Sequence, residues 1–362
     1  MRRRVALCLA AGAATLGVWY ALALLASLAL ASATPPPRRP HMLLDPDLYV
    51  PDPAIGYRMA AGWRGLLRDG VLSVPSSTNS HGHRDGEPEA MDAPRRILLL
   101  GDSFAFGFSL ADDETVDRQI ERLSGGRVDV YDAGVVGYGA PGVLETFRRC
   151  DFGFTDALYL FFQNDLQDDQ LLPDGGFAFA DGTLLPRLRP DGTRYRPEEY
   201  PAFLRDRLAM LAPPTRGERL RALATLAPLR ERIERVAGRL TESLVRREPR
   251  DEDLLEGARA TYRPENVARA LAYTDAMQAL ARERGLRFAV AVAPSRAEAR
   301  WQRDATLTEA YVAGLRARGT PVLQLRSRLT AADYYEHDFH WNPAGARTAA
   351  AAILAWLDAG PE

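Results

Sequence analysis

Five short apolar segments alternate with segments of helical periodicity, and this alternation limits the possible folds more than any other feature of the chain. Continuous apolar runs bounded by turn residues are typical of strands that are buried on both faces. Strands that alternate with helices form a parallel sheet with helices on both sides. The sequence therefore predicts an α/β protein, a three-layer α/β/α sandwich with a parallel central sheet. The predicted strands are residues 96–100, 128–131, 157–162, 287–293 and 321–325.

The predicted helices between these strands have recognisable faces and ends. Val116, Ile120 and Leu123 recur at helical spacing. Two further helices begin at Pro264 and Pro343, because proline suits the first helical position. The sheet prediction therefore has matching helices on either side of its strands.

The first 33 residues predict a membrane anchor. Arg2, Arg3 and Arg4 precede an uncharged run over residues 5–33, longer than the ~20 residues that span a bilayer. The arginines should stay in the cytoplasm. We expect a single-pass protein of a bacterial inner membrane, with its main domain periplasmic or extracytoplasmic. The Ala-Ser-Ala pattern at residues 31–33 would give a secreted protein if the leader is cleaved.

The remaining chain divides into a linker with an N-terminal extension, residues 34–94, and one domain, residues 95–362. An insertion at about 166–255 interrupts this domain, and its apolar helical face predicts packing on the domain or over the site. The formal net charge of −2 gives no basic surplus for nucleic acid, so no nucleic-acid partner is predicted. Of the two cysteines, Cys8 lies in the leader, which makes an intrachain disulfide with Cys150 improbable.

Four polar clusters follow predicted strands, at the edge of a parallel sheet where ligands bind. They are residues 101–103 (Gly-Asp-Ser), 134–139, 163–165 (Gln-Asn-Asp) and the loop 337–345. A serine nucleophile needs a base, and histidine can serve when an acid orients its second nitrogen. Ser103 and His340 have these side chains. Backbone N–H groups of Ser103 and Gly137 and the amide of Asn164 could bind an oxyanion.

These motifs resemble those of the SGNH, or GDSL-type, hydrolase superfamily. The resemblance places the nucleophile at Ser103 in "GDSF", the second-block glycine at Gly137, the third-block asparagine at Asn164 and the base at His340. It implies a flavodoxin-like fold, an acyl-serine intermediate and an oxyanion hole of Ser103, Gly137 and Asn164. It implies no cofactor and no metal.

The acid departs from the usual Asp-x-x-His spacing. Residue 337 is a histidine, which leaves Asp338, Glu336 and Asp333 as candidates to orient His340. Two residues in extended backbone point to the same side, which favours Asp338. The form Asp-x-His-Trp also resembles the O-acetyltransferases and deacetylases of bacterial polysaccharides.

The sequence permits other roles for some of these polar residues. His337, Asp338 and His340, with His81 and His83, are suitable metal ligands, but the motifs account for His340 without a metal. Asp102 could be taken for the catalytic acid, although its place on the turn should point it away from His340. The segment 78–85 also resembles one that often precedes this domain; we expect it to fold against the sheet and assign it no catalytic role.

The expected function is a serine ester hydrolase that cleaves acyl esters, with O-acetyl esters on cell-surface glycans as the first substrate class to test. The location and Trp341 beside the base favour a glycan. Two alternatives are a polysaccharide O-acetyltransferase with the same triad and a non-catalytic surface-binding protein of the same fold.

Overall fold

The computed structural model describes residues 20, 23, 48–52, 55–68, 72–166, 177–180, 183–186, 264–336 and 338–360. Contacts group residues 40–204 and 251–362 into one unit, and residues 1–39 and 205–250 into another. The predicted anchor, residues 1–33, and the helical half of the insertion lie outside the described residues, apart from residues 20 and 23. Within the described ranges, no helix has the length and apolar character needed to cross a bilayer.

Two antiparallel hairpins precede the main sheet. β1 (Tyr49–Asp52) pairs with β2 (Gly56–Met59), and β3 (Arg64–Arg68) pairs with β4 (Ser73–Ser77). Their apolar side chains are buried together with those of the sheet, so the extension belongs to the same core. The contributing side chains are those of Leu48, Tyr49, Tyr57, Trp63 and Leu67.

The central sheet has five parallel strands. They are β5 (Arg95–Gly101), β6 (Val128–Asp132), β7 (Asp156–Phe161), β10 (Arg287–Val292) and β11 (Val322–Gln324). A short antiparallel hairpin, β8 (Phe177–Ala180) with β9 (Thr183–Pro186), lies between β7 and β10 in the chain. The spatial order is β6-β5-β7-β10-β11, the flavodoxin-like order 2-1-3-4-5. The strand order reverses between β5 and β7, which is where such sheets bind ligands.

The helices are α1 (Ser103–Phe106), α2 (Val116–Ser124), α3 (Ala140–Arg149), α4 (Pro264–Glu283), α5 (Arg296–Trp301), α6 (Thr306–Ala317) and α7 (Pro343–Ala359). Single 3-10 turns lie at Pro88–Ala90, Gln163–Leu166, Leu325–Arg328 and Ala331–Asp333. The predicted helices at Pro264 and Pro343 begin at those residues.

Alternate residues of β5 point into two different cores, which confirms the three-layer arrangement. Leu98 and Leu100 pack with side chains of α3, α4 and α6, whereas Ile97 and Leu99 pack with those of α2 and α7. Leu123, which the spacing places on the buried face of α2, is instead 46% exposed.

Candidate active site

Ser103 lies on a sharp turn directly after β5. The strand ends at Gly101, and the Asp102 side chain caps α1 by accepting the Phe104 N–H at 2.9 Å. The helix that follows is a single turn, which ends at Gly107 in the left-handed conformation, φ 71°. Ser103, the first helical residue, is 4% exposed. In the Gly-Asp-Ser sequence, Asp102 thus caps the helix and Ser103 presents its hydroxyl at the first helical position.

His340 reaches Ser103 from the loop before α7. Its Nε2 lies 2.7 Å from Ser103 Oγ, and its Nδ1 lies 3.0 Å from Asp338 Oδ1. The loop is anchored where Asn342 caps α7, accepting the N–H groups of Ala344 and Gly345. The structure therefore brings together the three residues predicted as nucleophile, base and acid, which are separated by up to 237 positions.

The acid in contact with His340 is Asp338 rather than the other two candidates. The Asp333 carboxylate accepts the N–H and hydroxyl of Thr330, and no contact of the Glu336 side chain with His340 occurs among the described residues. The segment is bent at Asp338, not extended as expected. In the bend, Asp338 Oδ1 accepts both the Phe339 N–H, at 2.6 Å, and the imidazole. His337 lies outside the described residues.

Gly137 lies in the loop after β6, which is fastened to the serine turn. The Val135 N–H donates to the carbonyl of Gly101 at 3.1 Å. Gly137 has a left-handed φ of 81°, and a Cβ there would lie 2.8 Å from the Tyr57 hydroxyl. That hydroxyl donates to the Val136 carbonyl at 2.8 Å. A side chain at residue 137 would therefore meet both an unfavourable conformation and a buried group.

Asn164 follows β7 and lies on the other side of the switch point from Ser103. Its side chain hydrogen-bonds Asp102, a bond that favours the ionised Asp102 carboxyl. Burial nevertheless raises the pKa of Asp102 above its usual value. Asp102 Oδ2 is also 3.4 Å from Ser103 Oγ. Asp102 therefore faces Asn164 and the serine, while Asp338 takes the position at His340 Nδ1.

A second buried carboxyl supports the same loop. Asp165 is fully buried, and its Oδ2 accepts the Tyr159 hydroxyl at 2.8 Å and the Phe162 N–H at 3.1 Å. Burial first, and the charge of Asp102 second, raise the pKa of Asp165 well above its ordinary value. No sequence pattern marks this role, because an aspartate after asparagine is equally typical of an ordinary turn.

Aromatic rings surround the imidazole of His340. The ring centroids of Phe104, Phe108 and Phe339 lie 5.2, 4.9 and 4.3 Å from it. Trp341, which lies beside the base in the sequence and was expected to favour a glycan, is only 2% exposed and packs edge-on against Phe104. Phe339 is 50% exposed. The open aromatic face next to the base therefore belongs to Phe339 and not to Trp341.

The segment 78–85 folds against the sheet, as expected. Its His83 Nδ1 lies 2.9 Å from the Tyr131 hydroxyl, and the His83 ring packs edge-on against that of Tyr131 on β6. In the part of the chain that the structure describes, one group of three side chains has metal-ligand spacing: His81, Glu87 and Glu89, all exposed. The triad histidine does not belong to that group.

No protein-family model and no curated protein matches this sequence. Solved structures do match. The chain is similar to GDSL-type hydrolases. A lipolytic protein of the G-D-S-L family from Desulfitobacterium hafniense is 10% identical with a TM-score of 0.38, over 72% of this chain and 98% of that one. A GDSL-like lipase from Bacteroides thetaiotaomicron is 12% identical with a TM-score of 0.37, over 75% and 94%.

An acetyl xylan esterase from Butyrivibrio proteoclasticus is also similar, at 10% identity and a TM-score of 0.36, over 74% of this chain and 64% of that chain. The parallel sheet and its strand order establish the fold.

Proposed function

We propose that this chain is a serine carboxylic ester hydrolase that acts through an acyl-serine intermediate. The observation that carries the proposal is the chain of contacts from Asp338 through His340 to Ser103, at 3.0 and 2.7 Å. With a carboxylate at Nδ1, the neutral imidazole has its proton on Nδ1, and Nε2 accepts the hydrogen of the serine hydroxyl. This is the arrangement that makes a serine nucleophilic.

The reaction then has two halves. Ser103 Oγ attacks the ester carbonyl carbon while His340 Nε2 takes the hydroxyl proton, and a tetrahedral intermediate forms. The carbon–oxygen bond to the alcohol breaks, and His340 gives the proton to that departing oxygen. Water next attacks the acyl-serine and passes a proton to His340. Ser103 then leaves with that proton, and the carboxylic acid is released.

The proposed oxyanion hole consists of the backbone N–H groups of Ser103 and Gly137 and the side-chain amide of Asn164. The support for it is their placement on three neighbouring turns at the switch point of the sheet. The Asn164 side chain also hydrogen-bonds the Asp102 carboxyl group, which orients the amide. Fixed donors of this kind stabilise the oxyanion without having to reorganise during the reaction.

We propose O-acetyl groups on a cell-surface glycan as the substrate. The rings of Phe104, Phe108 and Phe339 crowd the imidazole, and Ser103 is almost fully buried. That enclosure favours a short acyl group. The exposed ring of Phe339 offers an apolar face for a sugar beside the scissile bond. Anchoring of the chain in an inner membrane by residues 1–33 would place the site outside the cytoplasm, where such glycans occur.

A serine-directed probe tests the proposal. The full chain should be labelled by an alkyl p-nitrophenyl phosphonate, and Ser103→Ala should lose the label and nearly all hydrolysis of p-nitrophenyl acetate while keeping its melting temperature. Equal labelling of both proteins would show that the nucleophile lies elsewhere, whereas absence of label on the wild-type protein would favour a non-catalytic binding protein.

The Asp-x-His-Trp sequence at residues 338–341 favours one second candidate, a polysaccharide O-acetyltransferase. A glycan acceptor added to the acetyl ester assay distinguishes the two reactions. Acetylated glycan would form at the expense of free acetate in a transferase, whereas a hydrolase would release acetate at the same rate with or without the acceptor.

A further inference from the structure

Arg84 lies in the segment 78–85, and its guanidinium group donates hydrogen bonds to the turn that follows Ser103. Its Nη1 donates to the carbonyls of Phe106, at 3.0 Å, and Gly107, at 2.6 Å. Nη2 donates to the carbonyl of Leu110 at 2.5 Å, and Nε donates to Asp112 Oδ1 at 2.9 Å. The side chain is 1% exposed.

The turn needs these donors because α1 is too short to supply hydrogen-bond partners for its last carbonyls. A helix leaves its last carbonyls without helical partners, and one isolated turn is not stable in water. Phe106 and Gly107 are the last residue and the C-cap of this helix. Arg84 therefore replaces the hydrogen bonds that a longer helix would have made, three residues after the nucleophile.

The backbone beyond the helix is also held in an unfavourable conformation. Ser109 has a φ of 67°, in the left-handed region that residues other than glycine rarely adopt. Its carbonyl accepts the Tyr335 hydroxyl at 3.0 Å, and the Tyr335 N–H donates to the His340 carbonyl at 3.1 Å. The turn 107–110 thus contacts Arg84 on one side and the histidine loop on the other.

We propose that Arg84 is a positioning residue, which holds the serine turn so that Ser103 Oγ meets His340 Nε2. This inference rests on the proposed function. Three carbonyls in different directions require the planar fork of arginine, which lysine cannot reproduce. A displacement of about 1 Å at a reacting group can reduce the rate by about 100-fold.

The chain contains a matched control in Arg284. Its Nη1 donates to the carbonyls of Phe147 and Cys150, both at 2.7 Å, and its Nη2 to that of Arg148 at 2.9 Å. Both arginines stack on a phenylalanine, Arg84 at 5.0 Å and Arg284 at 5.4 Å. Arg284 caps the far end of α3, a helix of ten residues and about 15 Å in length, so it performs the same structural task away from the site.

The experiment compares full-length wild-type protein with Arg84→Ala, Arg84→Lys and Arg284→Ala. Melting temperature, phosphonate labelling rate, and kcat and KM for p-nitrophenyl acetate are measured for each. Both alanine variants should melt at lower temperature. Labelling and kcat should fall about 100-fold in Arg84→Ala and at least tenfold in Arg84→Lys, with KM within twofold. Arg284→Ala should label at the wild-type rate.

The effect of added guanidinium on the labelling rate distinguishes a positioning role of Arg84 from a purely structural one. At millimolar concentration it should restore part of the labelling rate of Arg84→Ala and leave Arg284→Ala unchanged. Equal labelling of the two alanine variants would overturn the inference. So would the failure of both Arg84 variants to fold while Arg284→Ala folds, because Arg84 would then be a folding determinant. Absence of label on wild-type protein would refute the proposed function itself.

Discussion

Replacement of Asp338 by asparagine separates the charge of the acid from its hydrogen bond. The Phe339 N–H donates to Asp338 Oδ1 at 2.6 Å, and the same oxygen receives His340 Nδ1 at 3.0 Å. In Asp338→Asn the Phe339 N–H keeps the amide oxygen at this position. The imidazole therefore retains its tautomer, and what is lost is the negative charge opposite the imidazolium that forms during the reaction.

The size of the effect follows from the charge separation. Two unit charges about 4 Å apart attract by ~4 kcal/mol at an effective dielectric constant of about 20. Since 1.36 kcal/mol corresponds to a factor of ten in rate, kcat should fall about 1000-fold in Asp338→Asn. Asp338→Ala also removes the acceptor, worth ~1 kcal/mol, and should lose about a further fivefold.

The assay is kcat for p-nitrophenyl acetate with the full chain, corrected by the rate of Ser103→Ala. Glu336→Gln is the matched control, because this neighbouring carboxylate makes no contact with His340 among the described residues; its kcat should stay within twofold of wild type. If Asp338→Asn kept more than a tenth of the wild-type kcat while melting normally, its charge would have no part in the reaction, and the triad would reduce to Ser103 and His340.

Two further perturbations test the surroundings of the site. Tyr57→Phe removes the hydroxyl that donates to the Val136 carbonyl and should lower kcat about tenfold. The control Tyr311→Phe loses a similar buried bond to Thr274 and should lower only the melting temperature. Equal kcat values for the two variants would refute a role of the Tyr57 hydroxyl in holding the loop of Gly137. Burial lowers the pKa of His83 to about 4, against about 6.5 in an unfolded chain. The unfolded state therefore binds more protons between these values, so stability should fall as pH drops from 6.5 to 4, and His83→Gln should flatten that slope in melting curves.

The elements of the main sheet were predictable because their signals are local. The observed ends of all five strands lie within one residue of the predicted ones. The last strand is shorter, residues 322–324 instead of 321–325, because Leu325 begins a 3-10 turn. Pro264 and Pro343 mark their helix starts through a backbone restriction that tertiary contacts do not alter.

The candidate site was predictable where residue type and strand ends coincide, at Ser103 and Asn164; His340 lies in the loop before α7 instead. The surroundings were not. Trp341, beside the base in the sequence, was expected to favour a glycan, but its ring is buried against Phe104, because the antiparallel bridge between Tyr334 and Trp341 turns it toward the core. Sequence spacing shows which residues are near the site and leaves open which way each side chain points.

Arg84 lies in the segment 78–85 that the sequence pattern singled out, but its role was missed, because its partners are main-chain carbonyls, which every residue possesses. The same holds for the bond from Tyr57 to Val136. Both side chains come from the extension and end on the two loops that carry Ser103 and Gly137. Productive geometry in an active site must be kept within about 0.5 Å, and loops alone do not provide that. The extension is therefore part of the frame of the site, although Ser103, Gly137, Asn164 and His340 all lie after it in the sequence.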